Sequence, residues 1–322
     1  MTARRGCENL APNDEEATVS VTRRRLFQLG IAAALAGASR AGAADKPSLI
    51  TRAIPSSGEK LPVIGLGTNR YGSTAADELA ARRAVLRRMP ELGATVIDTA
   101  PAYGQSEEVI GRLLGELKTR DRMWLATKVT APGGSATDGR KMLEASFRRL
   151  RTQHIELVQV HSLDGVREML PVLREQKAAK RLSYVGVTTS RDAQHGELLE
   201  LVRREPLDFI QVDYSIANRS AADKILPLAA SRGVAVLVNL PLGRGNVLGK
   251  LAGRPLPDWA KDIDATSFPQ VFLKYVISHP SVTVAIPGTT KVEHLEDNLG
   301  AARGRLPDLA MRRRIEQFFD AL

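Results

Sequence analysis

The chain predicts one α/β domain of the (β/α)8 TIM-barrel class with an N-terminal hairpin cap. Short β-rich runs alternate with amphipathic helical stretches eight times after residue 62. The runs are apolar nearly throughout rather than alternating, the pattern of strands covered on both faces. Their starts recur every 25 to 32 residues as far as the seventh, and 48 residues separate the seventh from the eighth. Eight units of that length indicate a closed parallel barrel. A doubly wound open sheet would need a glycine-rich first turn, and Ile64-Gly65-Leu66-Gly67-Thr68 is too short to supply it.

Taken in order, residues 50–54 and 60–63, joined through Pro-Ser-Ser-Gly, read as a hairpin across the barrel's N-terminal end. Strands are expected over residues 63–68, 95–100, 123–129, 155–162, 182–189, 209–215, 234–241 and 282–288. Helical patterns lie between them at 75–89, 137–150, 165–179, 192–203 and 220–232. Residues 242–266, rich in Gly, Pro and Arg, form a long insertion after the seventh strand, and loops of that length tend to carry function. Residues 306–322 read as a final amphipathic helix.

The formal net charge is +10 and aromatics make up only 4%. Residues 1–43 hold six arginines against Glu8, Asp14, Glu15 and Glu16, so the rest of the chain keeps +8. Those cations are scattered, and so few aromatics offer no stacking surface. Nucleic acid is therefore not the expected partner.

The N-terminus has its own grammar. Thr22-Arg23-Arg24-Arg25-Leu26-Phe27-Gln28 resembles the twin-arginine (Tat) export motif. Residues 29–38 are a mild apolar run, too short to span a bilayer and right for the core of a signal peptide. Ala41-Gly42-Ala43 or Gly42-Ala43-Ala44 then offers a peptidase site. The expectation is a signal peptide over residues 1–44 and a barrel domain over 45–322. The protein would meet the Tat machinery, touch the membrane only during export, and reside in the periplasm after cleavage near Ala43-Ala44. Cys7, the single cysteine, would leave with the leader, so neither a disulfide nor a thiolate metal site is expected.

Four ionisable residues stand where barrel strands end. Residues 96–111 read Val-Ile-Asp-Thr-Ala-Pro-Ala-Tyr-Gly-Gln-Ser-Glu-Glu-Val-Ile-Gly, placing Asp98 at a strand end and Tyr103 in the loop after it. Lys128 closes Trp-Leu-Ala-Thr-Lys, and His161 follows Leu-Val-Gln-Val. In such barrels the C-terminal strand ends converge on one site. A phenol is a poor acid at neutral pH, and a neighbouring ammonium favours its phenolate. A carboxylate beside that ammonium limits the cost of burying it. Tyr103 would then be a general acid, and a neutral His161 would orient a carbonyl oxygen. The five histidines, 154, 161, 195, 279 and 294, show no metal-ligand spacing.

In order and spacing this set resembles the aldo-keto reductase family, over nearly all of residues 50–303. The resemblance implies Tyr103 as proton donor, Asp98 and Lys128 as its activating pair, and His161 as the residue orienting the carbonyl. It also implies a nicotinamide cofactor. Strand eight runs into Ile286-Pro287-Gly288-Thr289-Thr290-Lys291, where phosphate sites of such barrels lie. Gly288, Thr289 and Lys291 match the family's segment for the adenosine 2′-phosphate, with Asp297 and Asn298 toward the adenine. Gln211 matches the position that holds the carboxamide, and Leu242 and Arg244 the loop that crosses the pyrophosphate. Gly67 and Thr68, at the end of the first strand, border the same site.

Four positions depart from the family's pattern. Thr188-Thr189 stand where Ser-Asn is common, Asn239 replaces a stacking tyrosine, and His294 falls where an arginine is expected beside the 2′-phosphate. Lys291, with no acidic residue opposing it early in the segment, favours NADP(H), with NAD(H) the alternative. The expected function is reduction of aldehydes or ketones to alcohols, or the reverse. The altered nicotinamide pocket keeps open a second reading, a cofactor-binding sensor or regulatory subunit with little turnover, as in potassium-channel beta subunits. Tyr71, Trp259 and Trp124 are the aromatics expected among the substrate loops.

Overall fold

A computed structural model of the chain describes residues 48–322. The leader expected over residues 1–44 lies outside the described residues. An antiparallel pair comes first, β1 (Thr51–Ala53) and β2 (Lys60–Pro62). Eight parallel strands follow: β3 (Leu66–Gly67), β4 (Val96–Asp98), β5 (Trp124–Val129), β6 (Ile155–Val160), β7 (Leu182–Thr188), β8 (Phe209–Asp213), β9 (Ala235–Asn239) and β10 (Val284–Ala285). Their order in the sheet is their order in the chain. Helices α1 (Ala76–Glu91), α2 (Ser106–Leu117), α3 (Ala136–Leu150), α4 (Val166–Ala178), α5 (His195–Arg204) and α6 (Ala221–Ser231) each follow one strand, from β3 to β8. After β9 come α7 (Asn246–Gly249) and α8 (Phe268–Ile277), and after β10 come α9 (Val292–Gly300) and α10 (Leu309–Asp320).

The two edge strands meet, which makes the sheet a barrel. Parallel bridges join Ile64 to Ala285 and Gly67 to Gly288. Gly65 N donates to Ala285 O at 2.9 Å, and Gly67 N to Pro287 O at 3.1 Å. The first and eighth strands are much shorter than the six or seven residues expected of each. Pro287 has no N–H to extend the ladder, so pairing there reduces to single bridges. At Gly67 the approach is close: a Cβ would stand 2.7 Å from Ile286 O.

Two apolar layers hold the barrel. Val96, Trp124, Leu157, Tyr184, Phe209, Leu237 and Val284 fill its interior, and Ile54 and Leu61 of the hairpin join the same cluster. The second layer lies between strands and helices. Glu107 of α2 is fully buried there, accepting from Thr127 Oγ1 at 2.5 Å, Ser146 Oγ at 3.2 Å and Arg149 Nε at 2.7 Å. It ties α2 to β5 and α3.

One turn later the same helix carries Gly111, where a Cβ would meet Arg149 O at 2.2 Å and Leu150 C at 2.6 Å. Both are backbone atoms that cannot rotate away. Gly111→Ala is therefore expected to lower stability by about 1–3 kcal/mol through overpacking. Thermal unfolding reads this directly, and an unchanged midpoint would show that α2 and α3 part freely.

Candidate active site

Strand alternation carries the polar residues to one end of the barrel. Along β5, Trp124 and Ala126 belong to the interior cluster, so Lys128 is the next inward residue. The same step of two leads from Val96 to Asp98, from Phe209 to Gln211, from Leu237 to Asn239 and from Ile286 to Gly288. The interior is thus apolar toward the hairpin and polar at the C-terminal strand ends. There it opens into a cavity of about 670 Å³.

Asp98, Tyr103, Lys128 and His161 all line this cavity. Lys128 Nζ donates to Asp98 Oδ2 at 2.7 Å and to Thr99 O at 2.8 Å. The ammonium lies 5.0 Å from the centroid of the Tyr103 ring. His161 meets that ring edge-on, with centroids 6.1 Å apart and planes at 86°. The backbone turns sharply just beyond, with Ser162 and Leu163 both left-handed (φ 54° and 58°). That conformation costs non-glycine residues about 1 kcal/mol or more each. Gln194 Nε2, donating to Ser162 O at 2.8 Å, helps to hold the turn.

The charges in this group are fixed by their surroundings. Burial works against the Lys128 ammonium, but Asp98 and Tyr103 together outweigh it, and its pKa stands above the ordinary lysine value. Burial pushes Asp98 upward, with the Lys128 charge and hydrogen bonds from Lys128 and Gln211 pulling the other way. His161 is lowered to about 4, by burial first and the Lys128 charge second. It is a neutral imidazole at physiological pH, suited to donating or accepting one hydrogen bond without adding charge.

Of the remaining expected residues, Gly67, Thr68, Thr188, Gln211, Asn239, Leu242, Arg244, Gly288, His294, Asp297 and Asn298 line the cavity. Several are already engaged. Gln211 Nε2 donates to Asp98 Oδ1 at 3.1 Å while its Oε1 accepts from Thr188 Oγ1 at 2.8 Å. Asp297 accepts from Ser267 Oγ at 2.8 Å and from Gln270 Nε2 at 2.7 Å, which fixes it to the start of α8. Asn239 Nδ2 donates to Thr189 O at 3.1 Å, and its buried Oδ1 has no partner.

Thr189, Thr289 and Lys291 are not among the lining residues. The Thr189 hydroxyl is turned to Gln194 Oε1 at 2.5 Å, and the Thr289 hydroxyl accepts from Lys291 N at 3.1 Å as a local turn cap. Lys291 Nζ lies 3.9 Å from Glu293 Oε1, so an acidic residue does oppose it. The pair is mostly exposed and weak. The three aromatics expected near the substrate loops are elsewhere too. Tyr71 is fully buried with its hydroxyl on Thr289 O at 3.1 Å, Trp124 is in the barrel interior, and Trp259 packs on Phe318.

The cavity also takes in Asn69, Arg70, Ser162, Leu248 and Pro269, which residue patterning did not single out. Asn69 and Arg70 directly follow the first strand, so the rule that strand C-termini face the site would have found them. Pro269 stands far along the chain in α8, and no local signal marks it.

The comparisons with known proteins agree with this geometry. The aldo/keto reductase family model matches residues 63–317. An uncharacterized oxidoreductase of Mycobacterium tuberculosis is 32% identical over 277 residues, covering 74% of this chain and 84% of that protein. The methylglyoxal reductase YeaE of Escherichia coli is 30% identical over 246 residues, with coverage of 74% and 84%. Among solved structures, an aldo/keto reductase of Klebsiella pneumoniae in complex with NADP and acetate has a TM-score of 0.68 at 26% identity, covering 81% of this chain and 93% of that one. An aldo-keto reductase of Bacillus halodurans in its holo form has the same score and identity, covering 84% and 96%. With the barrel, the four strand-end residues and a match spanning most of its length, the chain belongs to the aldo/keto reductase family.

Proposed function

We propose that the protein is an NADP(H)-dependent oxidoreductase that interconverts aldehydes or ketones with alcohols, Tyr103 giving the proton in the reductive direction. The observation that carries this reading is the buried Lys128–Asp98 pair at 2.7 Å, with its ammonium beside the Tyr103 ring and neutral His161 on the ring's edge. A relative with NADP bound and another that reduces methylglyoxal point the same way.

The cavity fits a dinucleotide. Gly67 and Gly288 line it without side chains, so a phosphate can approach the backbone there. Gln211, which lines the cavity beside Asp98, would hold the carboxamide. Arg244 and His294 would hold the phosphates, and Asn298 the adenine end. The nicotinamide, when bound, supplies the hydride. His161 and Tyr103 would grip the carbonyl oxygen, and Tyr103 would pass its proton to that oxygen as charge develops there. Lys128 stabilises the phenolate left behind, and Asp98 keeps Lys128 in place. The intact set of four favours turnover over a sensor role. Fluorescence titration with NADPH and NADH, followed by absorbance at saturating aldehyde, tests the reading, and binding of neither cofactor would sink it.

We also propose export through the twin-arginine route, supported by the order of arginine pair, apolar run and small-residue site in residues 22–44. Replacing Arg23 and Arg24 by Lys keeps the charge and removes the guanidinium fork. Folded precursor is then expected to accumulate in the cytoplasm, as immunoblots of fractionated cells would show. Normal processing of that variant would refute the proposal.

A further inference from the structure

The cavity holds one cation that the proposed chemistry leaves unused. Arg70 lines it and is exposed, and its guanidinium has no partner among the described residues. The backbone beneath Arg70 is rigid. Arg82, itself buried, donates through Nε at 3.2 Å and a terminal nitrogen at 2.5 Å to the Arg70 carbonyl. Tyr71 is anchored twice, by its N–H to Thr68 O at 2.9 Å and by its hydroxyl to Thr289 O. A flexible cation is thus mounted on a fixed platform.

The platform runs between the two ends of the proposed reaction site. At one end, a Cβ on Gly288 would stand 3.2 Å from Asn69 Oδ1, so Asn69 faces the phosphate segment. At the other, Gly72 lies against the loop of the proton donor, where a Cβ would be 2.5 Å from Tyr103 O. Arg70 sits between them. The lining carboxylates are committed: Asp98 to Lys128, and Asp297 to Ser267 and Gln270. Arg244 lies in the loop after β9, two strands round the barrel from β3, where the proposed reading gives it a phosphate.

We infer that Arg70 selects substrates carrying a carboxylate, or a similarly compact anion, a few atoms from the reacting carbonyl. A guanidinium meets a carboxylate in a two-pronged geometry that a neutral group cannot match. The cavity has no aromatic wall apart from Tyr103 to reward a purely apolar substrate instead. This rests on the oxidoreductase reading for its chemistry, but its binding step can be measured without turnover.

The probes are 4-(hydroxymethyl)benzoate and 4-methylbenzyl alcohol, nearly equal in shape and differing in charge. Calorimetric titration into the protein, with saturating NADP⁺ and without it, is expected to show the carboxylate binding about 10- to 100-fold tighter. In Arg70→Gln that advantage is expected to vanish, while the neutral alcohol and NADPH bind as before. Arg70→Lys should restore part of it. Equal binding of the two alcohols to the wild type would overturn the assignment. So would loss of carboxylate binding on adding NADP⁺, which would place the carboxylate on a phosphate site. Selective binding without reduction of the corresponding aldehydes would support Arg70's role while counting against the oxidoreductase reading.

Discussion

Tyr103→Phe is expected to lower turnover by about 10²–10⁴-fold, the range that general acid catalysis supplies. The substitution removes one oxygen and leaves the ring. That ring makes the edge contact with His161 at 6.1 Å and lies 5.0 Å from the Lys128 ammonium, so its neighbours keep their places. Folding and NADPH affinity are expected to persist, because no cofactor contact depends on the phenol. The readouts are kcat at saturating aldehyde and the NADPH dissociation constant by fluorescence. A variant with near-full activity would remove Tyr103 from the role of proton donor. A variant that no longer bound NADPH would show that the phenol holds the cofactor instead.

Lys128→Met is expected to abolish activity and to destabilise the fold, by about 3–5 kcal/mol at neutral pH. The side chain is almost completely buried and hydrogen-bonded to Asp98. Without it, the buried carboxylate loses its counter-charge and one of its two side-chain donors. Burial alone already raises the Asp98 pKa, and Lys128 opposes that rise. In the variant the folded-state pKa therefore lies above the unfolded one. Its contribution to stability is fully present below the unfolded pKa and is lost as pH rises through the folded pKa. The variant should accordingly gain stability relative to wild type as pH falls toward 4, when followed by denaturant unfolding across pH. Adding Asp98→Leu should recover most of the lost stability without restoring activity. Equal stability of the single variant and wild type at pH 7 would mean that the pair is not the buried ion pair described.

The barrel was legible because its period is carried by many residues. Eight apolar runs at regular spacing survive any single misreading, and the alternation along each strand then turned Asp98, Lys128, Gln211 and Asn239 into the C-terminal end of the barrel interior. The leading four site residues were legible for the same reason: Asp98, Lys128 and His161 are polar residues at or just past the end of apolar strands, and Tyr103 stands in the loop after one of them. What escaped reading depends on side-chain direction rather than position. Thr189 and Thr289 have the hydroxyls their positions called for, but both satisfy nearby turns first. Lys291 and Glu293 are two apart in sequence, and their pairing depends on the turn into α9. Tyr71 belongs to a substrate loop by position, whereas its buried hydroxyl meets Thr289 O, 218 residues away. Arg70 is the opposite case: it belongs to no motif, and only the convergence of strand ends brings it to the cavity.

The most direct test of the account is the fate of the hydride. NADPH carrying deuterium at both C4 positions of the nicotinamide should be incubated with the protein and an aldehyde, and the alcohol analysed by mass spectrometry and proton NMR. The account predicts one deuterium on the carbinol carbon of each alcohol molecule formed, with the hydroxyl proton drawn from solvent through Tyr103. Alcohol without deuterium at that carbon, or deuterated NADPH returned unchanged beside unreacted aldehyde, would contradict it.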